Sequence, residues 1–354
     1  MYYLKYSLLL LLLVVISCDL PSESKIYHWA EHWIAVMDAD GQNVQYLHQA
    51  SDYHTSSECL KGFYRDGALK ILEMNYNTIK VMDANGENAI TLKNTSAGIS
   101  RCSVSSDGNY IVYSVSGDIL KQATDGSQLV NLTEDTSYYD TDPQFSPISQ
   151  EVVFVRRGRK NHYAAIMLLD ENADQLTKLI DNTSGAVKNS QFSVPTFNRN
   201  ATRIYYFVSG SKSLSGLYRI NRDGSNNELI YQVNPSASPI VVLSNGNIAI
   251  APYGKLFVFD STGKILADFS DRLNDDMDTP LCFNFSPDGS LTALTTSPPY
   301  NSHIKLINIQ TKEIKDLGLG WAPSFLPDGR ILFIAKRWFE SKNRKDVNVD
   351  WIRY

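Results

Sequence analysis

Two acidic segments carry the residues best suited to bind a ligand. The first reads Tyr-Tyr-Asp-Thr-Asp-Pro over residues 138–143, and the second reads Asp-Asp-Met-Asp-Thr-Pro over residues 275–280. Carboxylates clustered beside tyrosine rings concentrate negative potential and favour cations or basic peptides. We therefore predict a partner-binding rim made of Tyr138, Tyr139, Asp140, Asp142, Asp275, Asp276 and Asp278. A second interpretation stays open, in which the aspartates cap loops and each proline begins a strand.

Two further sets of residues contain side chains that can bind metals. Four of the six histidines lie close together in the sequence, at His28, His32, His48 and His54. The first two are four residues apart, as on one face of a helix, but a metal site needs three or four converging ligands and no helix is predicted here. The Asp-Gly turns lack the additional oxygen ligands of a calcium-binding loop. We assign no metal ligands and predict no cofactor.

Composition and motifs narrow the range of functions. The 354 residues contain 33 Lys and Arg against 38 Asp and Glu, for a net charge of −5. This balance gives no reason to expect a nucleic-acid partner, which usually meets a basic face. The sequence contains no Gly-x-Ser-x-Gly nucleophile elbow, no glycine-rich phosphate loop and no Cys-x-x-Cys pair. An active site assembled from scattered strand ends remains compatible with these observations.

Two turn signatures alternate along the chain and predict its fold. The first is a Ser-Pro-Asp-Gly-like turn before an apolar run, and its copies end at residues 67, 108, 149, 201, 246, 289 and 329. The second is a hairpin turn, mostly Asn-Gly or Asp-Gly, near residues 41, 86, 126, 173, 224, 263 and 311. The mean repeat of about 44 residues is that of a four-stranded propeller blade. We predict an all-β propeller with essentially no helix.

The two ends of the chain each carry half of a repeat. The hairpin turn near residue 41 has no first signature before it, and the first signature at residue 329 has no clear hairpin after it. Residues 320–336 are therefore predicted to supply two inner strands of a composite blade, and residues 33–47 its two outer strands. Such closure removes free sheet edges and gives seven blades. Six blades are the alternative, because residues 347–354 could add a strand to the closure.

The first residues have the pattern of an export signal. Lys5 precedes an aliphatic run that ends at Ser17, and residues 1–17 are predicted to be a signal peptide. The string Val15-Ile16-Ser17-Cys18 resembles the lipobox of bacterial lipoproteins, in which the cysteine is diacylated and the preceding peptide is removed. This resemblance implies lipidation of Cys18, a tether over residues 18–32, and attachment to a bacterial envelope membrane facing the periplasm or the exterior. An ordinary signal peptide is the alternative.

Three cysteines remain in the exported part of the chain, Cys59, Cys102 and Cys282. The first two lie at even distances before the end of their turn signatures, on one face of neighbouring innermost strands. A Cys59–Cys102 disulfide and three buried thiols are both compatible with this spacing.

The repeats resemble those of a known group of propellers. The strings at residues 36–41, 81–86 and 283–289 are similar to the repeats of TolB-like propellers, also called WD40-like PD40 repeats. The resemblance covers residues 33–337 and leaves 338–354 as a tail or closing strand. The signature concerns blade construction and carries little functional specificity. We predict a non-enzymatic scaffold for an envelope protein partner. The alternatives are a carbohydrate-acting enzyme resembling oligogalacturonate lyases, or a protein that binds a glycan or small molecule. Those lyases hold a metal with histidines, whereas only His162 and His303 lie outside the N-terminal stretch here.

Overall fold

Seven four-stranded antiparallel sheets account for the secondary structure of the chain. The structure, a computed structural model, describes residues 27–50, 60–211, 213–234, 239–252, 255–269, 280–296 and 302–341. Within these ranges, helical structure is limited to a 3₁₀ turn at Gly185–Val187 and a 3₁₀ residue at Pro252. The predicted all-β propeller with seven blades is therefore confirmed, and the six-bladed alternative is not observed.

Blades 1 to 6 each consist of four strands that are consecutive in the sequence. Blades 1 to 3 contain β3 (Leu60–Arg65), β4 (Ala68–Met74), β5 (Thr78–Asp83), β6 (Ile90–Asn94); β7 (Ile99–Val104), β8 (Tyr110–Val115), β9 (Asp118–Ala123), β10 (Val130–Asn131); and β11 (Tyr138–Phe145), β12 (Val152–Gly158), β13 (Ala164–Leu169), β14 (Leu176–Asp181). Blades 4 to 6 contain β15 (Gln191–Phe197), β16 (Arg203–Ser209), β17 (Gly216–Asn221), β18 (Glu228–Gln232); β19 (Ile240–Val242), β20 (Ile248–Ile250), β21 (Phe257–Phe259), β22 (Ile265–Asp268); and β23 (Pro280–Phe285), β24 (Leu291–Thr296), β25 (His303–Asn308), β26 (Ile314–Leu319).

Blade 7 joins the two ends of the chain, as the half-repeats predicted. Its strands are β27 (Trp321–Phe325), β28 (Ile331–Ser341), β1 (Tyr27–Met37) and β2 (Gln45–Gln49), in this order from the inside outwards. Strand β1 begins within the predicted tether, and β28 continues beyond residue 337 into the predicted tail. Residues 347–354 lie outside the described ranges, so a strand there stays a prediction.

The Ser-Pro-Asp-Gly signature forms the turn between the first and second strands of a blade. In blade 6, Ser286 Oγ donates to Asp288 Oδ1 at 2.6 Å and accepts from the Leu291 amide at 2.9 Å. The Gly289 amide donates to the Ser286 carbonyl, and Gly289 has φ +75°. The serine and aspartate thus fix the turn through local hydrogen bonds, and the glycine supplies a conformation that other residues reach at a cost.

Hydrophobic side chains fill each interface between neighbouring blades. Residues of β12 and β13 illustrate the pattern, because Val152–Val155 and every residue of β13 are buried. Strands covered on both sheet faces carry continuous apolar runs rather than alternating ones. The described residues form seven such clusters, one for each pair of adjacent blades, including the pair that joins blade 7 to blade 1. Cys102 lies in the cluster between blades 1 and 2, whereas Cys59 lies outside the described residues. Their disulfide stays a prediction.

Two equivalent turn glycines provide a matched test of blade-to-blade contact. Gly108 has φ +72°, and a Cβ there would lie 1.9 Å from the Tyr64 carbonyl oxygen of blade 1. Gly67 has φ +75°, and a Cβ added there would have no heavy atom within 4 Å. We expect G67A to lower the free energy of unfolding by about 1–2 kcal/mol through backbone strain. G108A should cost about 1–3 kcal/mol more because it overpacks the interface. Equal losses in urea titrations of the two variants would contradict the contact.

His32 makes the closing blade sensitive to acid. Its ring meets the Trp321 ring edge-on at 4.8 Å between centroids, which joins β1 to β27 of the same blade. Burial, together with the nearby charge of Lys336, lowers the pKa of His32 to about 4. Because the unfolded chain has a histidine pKa near 6.5, it takes up this proton first.

The free energy of unfolding should therefore fall from about pH 6.5 down to about pH 4 through His32. H32Q is expected to flatten this part of the profile of urea midpoint against pH. H162Q, which changes an exposed histidine on blade 3, serves as the control and should keep the wild-type slope. An unchanged slope in H32Q would exclude this role.

Candidate functional site

A central channel runs between the innermost strands of the blades. Its volume is about 530 Å³. Small polar side chains line it at equivalent places, five residues before the end of the first turn signature, at Ser103, Gln144, Thr196, Asn284 and Ser324. Three of them link neighbouring blades through two hydrogen bonds: Ser103 Oγ accepts from the Phe145 amide at 3.2 Å, and Asn284 Nδ2 donates to Ser324 Oγ at 3.3 Å.

The acidic segment at residues 138–143 is a strand rather than a loop. It belongs to β11, the innermost strand of blade 3, and Asp140 is only 1% exposed. Arg156 of β12 donates to both carboxylate oxygens, from Nε at 2.9 Å and from Nη2 at 2.7 Å. The expectation that Asp140 projects as a free negative charge on a rim is therefore wrong. Its carboxylate is half of a buried, bidentate ion pair.

Tyr138 completes the surroundings of this ion pair. The Arg156 guanidinium carbon lies 4.8 Å from the centre of the Tyr138 ring, a cation–π distance. Burial raises the pKa of the Asp140 carboxyl, and the hydrogen bonds from Arg156 oppose that shift. Hydrogen bonding to the carboxylate raises the pKa of Arg156. Through its contact with the Arg156 guanidinium, Tyr138 contributes to the packing of blade 3 as well as to its surface.

Asp142 lies at the mouth of the channel between two arginines. Its carboxylate is 3.0 Å from Arg101 Nε of blade 2 and 4.0 Å from Arg157 Nη2 of blade 3. The backbone of Asp142 has φ +55°, at a β-bulge where the register of β11 against β12 shifts. The bulge separates Asp142, which lines the channel, from the buried Asp140. The described part of the predicted rim is thus compensated by arginine and is not a patch of uniform negative charge.

Tyr139 is the exposed aromatic residue of the segment. It is 45% exposed, and the Arg159 guanidinium carbon lies 3.7 Å from the centre of its ring. The stacked pair lines a cleft of about 480 Å³ between blades 2 and 3, together with Thr141 and Arg157. The cleft and the channel meet along β11, since Thr141 lines the cleft and Asp142 lines the channel.

Four arginines of this face were not predicted as site residues. They are Arg101, Arg156, Arg157 and Arg159. Part of this pairing could be predicted from the sequence. Phe145 pairs with Val152 beside the turn, and counting outward from this pair along both strands places Asp140 opposite Arg157. The bulge moves the pairing to Arg156. The other predicted site residues, Cys18, Asp275, Asp276 and Asp278, lie outside the described residues, so the rim as a whole stays a prediction.

The histidines are distributed over several elements. Residues 28 and 32 lie in strand β1 rather than in a helix, and His48 lies in β2 opposite Ile34. His303 contacts Asp316 at 2.9 Å within blade 6, and His162 lies in blade 3. Among the described residues, no three His, Cys, Asp or Glu side chains converge as metal ligands.

The aspartates three residues before the hairpin-turn glycines bind their own hairpins. Asp83 Oδ2 accepts from Asn88 Nδ2 at 2.6 Å, and the Gly86 amide donates to the Asp83 carbonyl at 2.9 Å. Asp38 makes the same two contacts with Asn43 and Gly41. Hairpin geometry therefore accounts for these residue types.

The buried ion pair predicts a strong effect of a small change. D140N leaves the Arg156 charge without its carboxylate in a dry interface, which typically costs about 3–5 kcal/mol. The control is D328N, which alters an exposed carboxylate that accepts two hydrogen bonds from Arg330. That change should cost at most about 1 kcal/mol. The double variant D140L/R156M removes both charges and should recover much of the loss. Equal urea midpoints for D140N and D328N would show that the pair is not buried in solution.

Comparisons with known proteins support the fold. A scan against protein-family models finds no match, and neither does a search of curated proteins. Solved structures do match. An oligogalacturonate lyase from Vibrio parahaemolyticus is 13% identical over 91% of this chain and 99% of that chain, with a TM-score of 0.61. The Cps50 (Swd1) propeller domain of Myceliophteria thermophila is 14% identical over 81% and 98%, with a TM-score of 0.60.

TolB from Acinetobacter baumannii is also similar, at 14% identity and a TM-score of 0.50. The match covers 87% of this chain and 66% of that one. At these identities the similarity shows the fold alone. In the described part of the chain, no helix is long and apolar enough to cross a membrane.

The seven four-stranded sheets and these structural similarities together show that the chain has the WD40-like, TolB-like β-propeller fold, here with seven blades.

Proposed function

We propose that this chain is a bacterial envelope lipoprotein whose propeller binds a protein partner and catalyses no reaction. The observation that carries the proposal is the face formed by blades 2 and 3. There the channel mouth meets a side cleft, and charged and aromatic side chains are held in place by rigid strands. Preorganised polar and aromatic groups favour specific docking, because little side-chain entropy is lost on binding.

The site of docking is the same face. The exposed ring of Tyr139 and the half-buried Arg157 and Arg159 combine the residue types that dominate protein interfaces. Tyrosine and arginine supply large contact areas together with directed hydrogen bonds. The channel mouth beside them admits a side chain or a short loop of the partner.

The lipobox-like string ending at Cys18 supports anchoring in the envelope. Two acyl chains on one cysteine would hold the protein stably at a membrane surface. The partner is accordingly an envelope protein that meets the propeller at this surface.

A carbohydrate-acting enzyme is the second candidate. It is favoured by the similarity to an oligogalacturonate lyase, 99% of which is covered. Incubation with oligogalacturonate should then produce the unsaturated sugar end that a lyase reaction leaves, measured by ultraviolet absorbance. Metal analysis of the purified protein separates the two candidates further.

The proposal predicts specific, membrane-associated capture of a partner. The full chain is expressed in its own bacterium, cross-linked in the envelope, purified and analysed by mass spectrometry. We expect a stoichiometric partner with the wild type. We also expect release of C18S from the membrane fraction, because it lacks the lipidation site.

Two tryptophan variants locate the contact. Q144W fills the channel and should lose the partner, whereas V44W, on the exposed outer side of blade 7, should retain it. Capture by Q144W at the wild-type level would exclude the channel mouth from the interface. A purified protein with no partner, or C18S retained in the membrane, would overturn the corresponding half of the proposal.

A further inference from the structure

We infer that the cleft between blades 2 and 3 binds an acidic peptide segment of the partner through its carboxylates. This inference rests on the proposed function and specifies the chemistry of the partner. Both charged residues that line the cleft are arginines, Arg157 and Arg159, in a chain whose net charge is −5. The cleft volume of about 480 Å³ falls within the range of ligand sites.

Arg159 carries a positive charge that is fixed in place but not neutralised. Its Nε donates to the Tyr138 carbonyl at 2.8 Å, and its Nη2 donates to the Ser116 carbonyl at 3.3 Å. The guanidinium stacks on the Tyr139 ring. These partners are neutral, and Arg159 forms no ion pair with any described residue. A guanidinium so oriented offers its remaining N–H groups to a carboxylate.

Arg157, two residues earlier and within β12, is also held by neutral groups, one of them on blade 4. Its Nη1 donates to Thr141 Oγ1 at 2.7 Å, and its Nη2 donates to the Phe192 carbonyl at 2.6 Å. The nearest carboxylate oxygen, on Asp142, is 4.0 Å away and is already 3.0 Å from Arg101. The charge of Arg157 is therefore only partly compensated.

Gly117 makes room for the stacked pair. A Cβ at this position would lie 2.4 Å from the Tyr139 ring and 2.9 Å from Arg159 Nη2. A side chain there would displace both. The β8–β9 turn of blade 2 thus leaves space in which the arginine of blade 3 can present its charge to the cleft.

The path that leads onward from the cleft fits an extended acidic peptide in shape and charge. From the cleft, the consecutive residues Thr141 and Asp142 of β11 lead to the channel, whose wall carries Lys61 and the Arg101–Asp142 ion pair. An extended peptide alternates its side chains along its length, so acidic residues can meet the cleft arginines while the chain follows β11. Guanidinium groups bind carboxylates through paired hydrogen bonds, which favours aspartate and glutamate side chains.

A labelled peptide tests the cleft directly. Fluorescein-labelled hexaglutamate is titrated with the purified full chain and followed by fluorescence anisotropy. Hexaglutamine and hexalysine serve as probes of the same length. We expect hexaglutamate alone to bind, and to bind more weakly at high salt, because the attraction is electrostatic.

Point variants identify the residues responsible. R159Q removes a charge-assisted contact and should weaken hexaglutamate binding about tenfold. R159K keeps the positive charge but lacks the forked N–H groups of a guanidinium, so its affinity for hexaglutamate should lie between those of the wild type and R159Q. A97W fills the cleft at its edge without changing charge and should prevent binding. K264Q, an exposed outer residue of blade 5, makes the same charge change as R159Q and should bind like the wild type. Thermal melts confirm that each variant is folded.

Several results would overturn the inference. They are no binding of hexaglutamate, equal binding by R159Q and the wild type, retained binding by A97W, or binding of oligogalacturonate without hexaglutamate. The envelope capture experiment separates the two proposals. If the wild type and R159Q capture the same partner, the inference about the cleft is overturned and the proposed protein-binding role stands. Arg159-dependent hexaglutamate binding without any captured partner supports the acidic-ligand site and overturns the protein-binding role.

Discussion

Every blade of this propeller depends on its neighbours to cover its two sheet faces. The middle strands are apolar on both sides, so an isolated blade would expose continuous hydrophobic surface to water. A ring of blades covers this hydrophobic surface on every blade only if the ring closes. Pairing of β1 with β28 within blade 7 achieves closure. The interfaces on either side of blade 7 are then filled by clusters of buried hydrophobic residues, like the other interfaces in the ring. Burial of apolar area, and not any single bond, holds the blades together.

Closure also explains where polar groups can be tolerated. Strand ends, turns and the channel carry most of the charged side chains, while the sheet faces between blades are mainly apolar. Some polar groups are nevertheless buried within the strands, and Asp140 and Arg156 are an ion pair among them. They satisfy each other through two hydrogen bonds, which is the condition under which charges are accepted in an interior. The pair aligns β11 with β12 at the edge of the face that we propose for docking.

The same face shows how one segment can serve both packing and recognition. Residues 138–142 place a tyrosine against a buried arginine, a carboxylate in the interior, and a second carboxylate in the channel. Tyr139 alone among the rim residues in this segment is largely exposed. The recognition that we propose therefore depends on Arg157 in the adjacent strand β12 and on Arg159 just after it, which reverse the charge expected from the acidic segment alone.

The sequence by itself predicted the propeller repeat, the strand order within blades and the closure by both chain ends. It left six blades open beside seven, and the structure decided for seven. The sequence could predict this much because turn chemistry is local: serine, aspartate and glycine at fixed offsets specify the turns, and apolar runs specify the strands between them. It located Asp140 and Asp142 but not their environments. Side-chain direction along β11 changes at the bulge around Asp142, whose φ of +55° has no local sequence signal comparable to a glycine. Only the tertiary structure decided that Asp140 meets Arg156 in the interior, that Arg101 of another blade reaches Asp142, and that Arg159 stacks on Tyr139. Those contacts join residues of different strands and blades, and their geometry follows from how the blades pack.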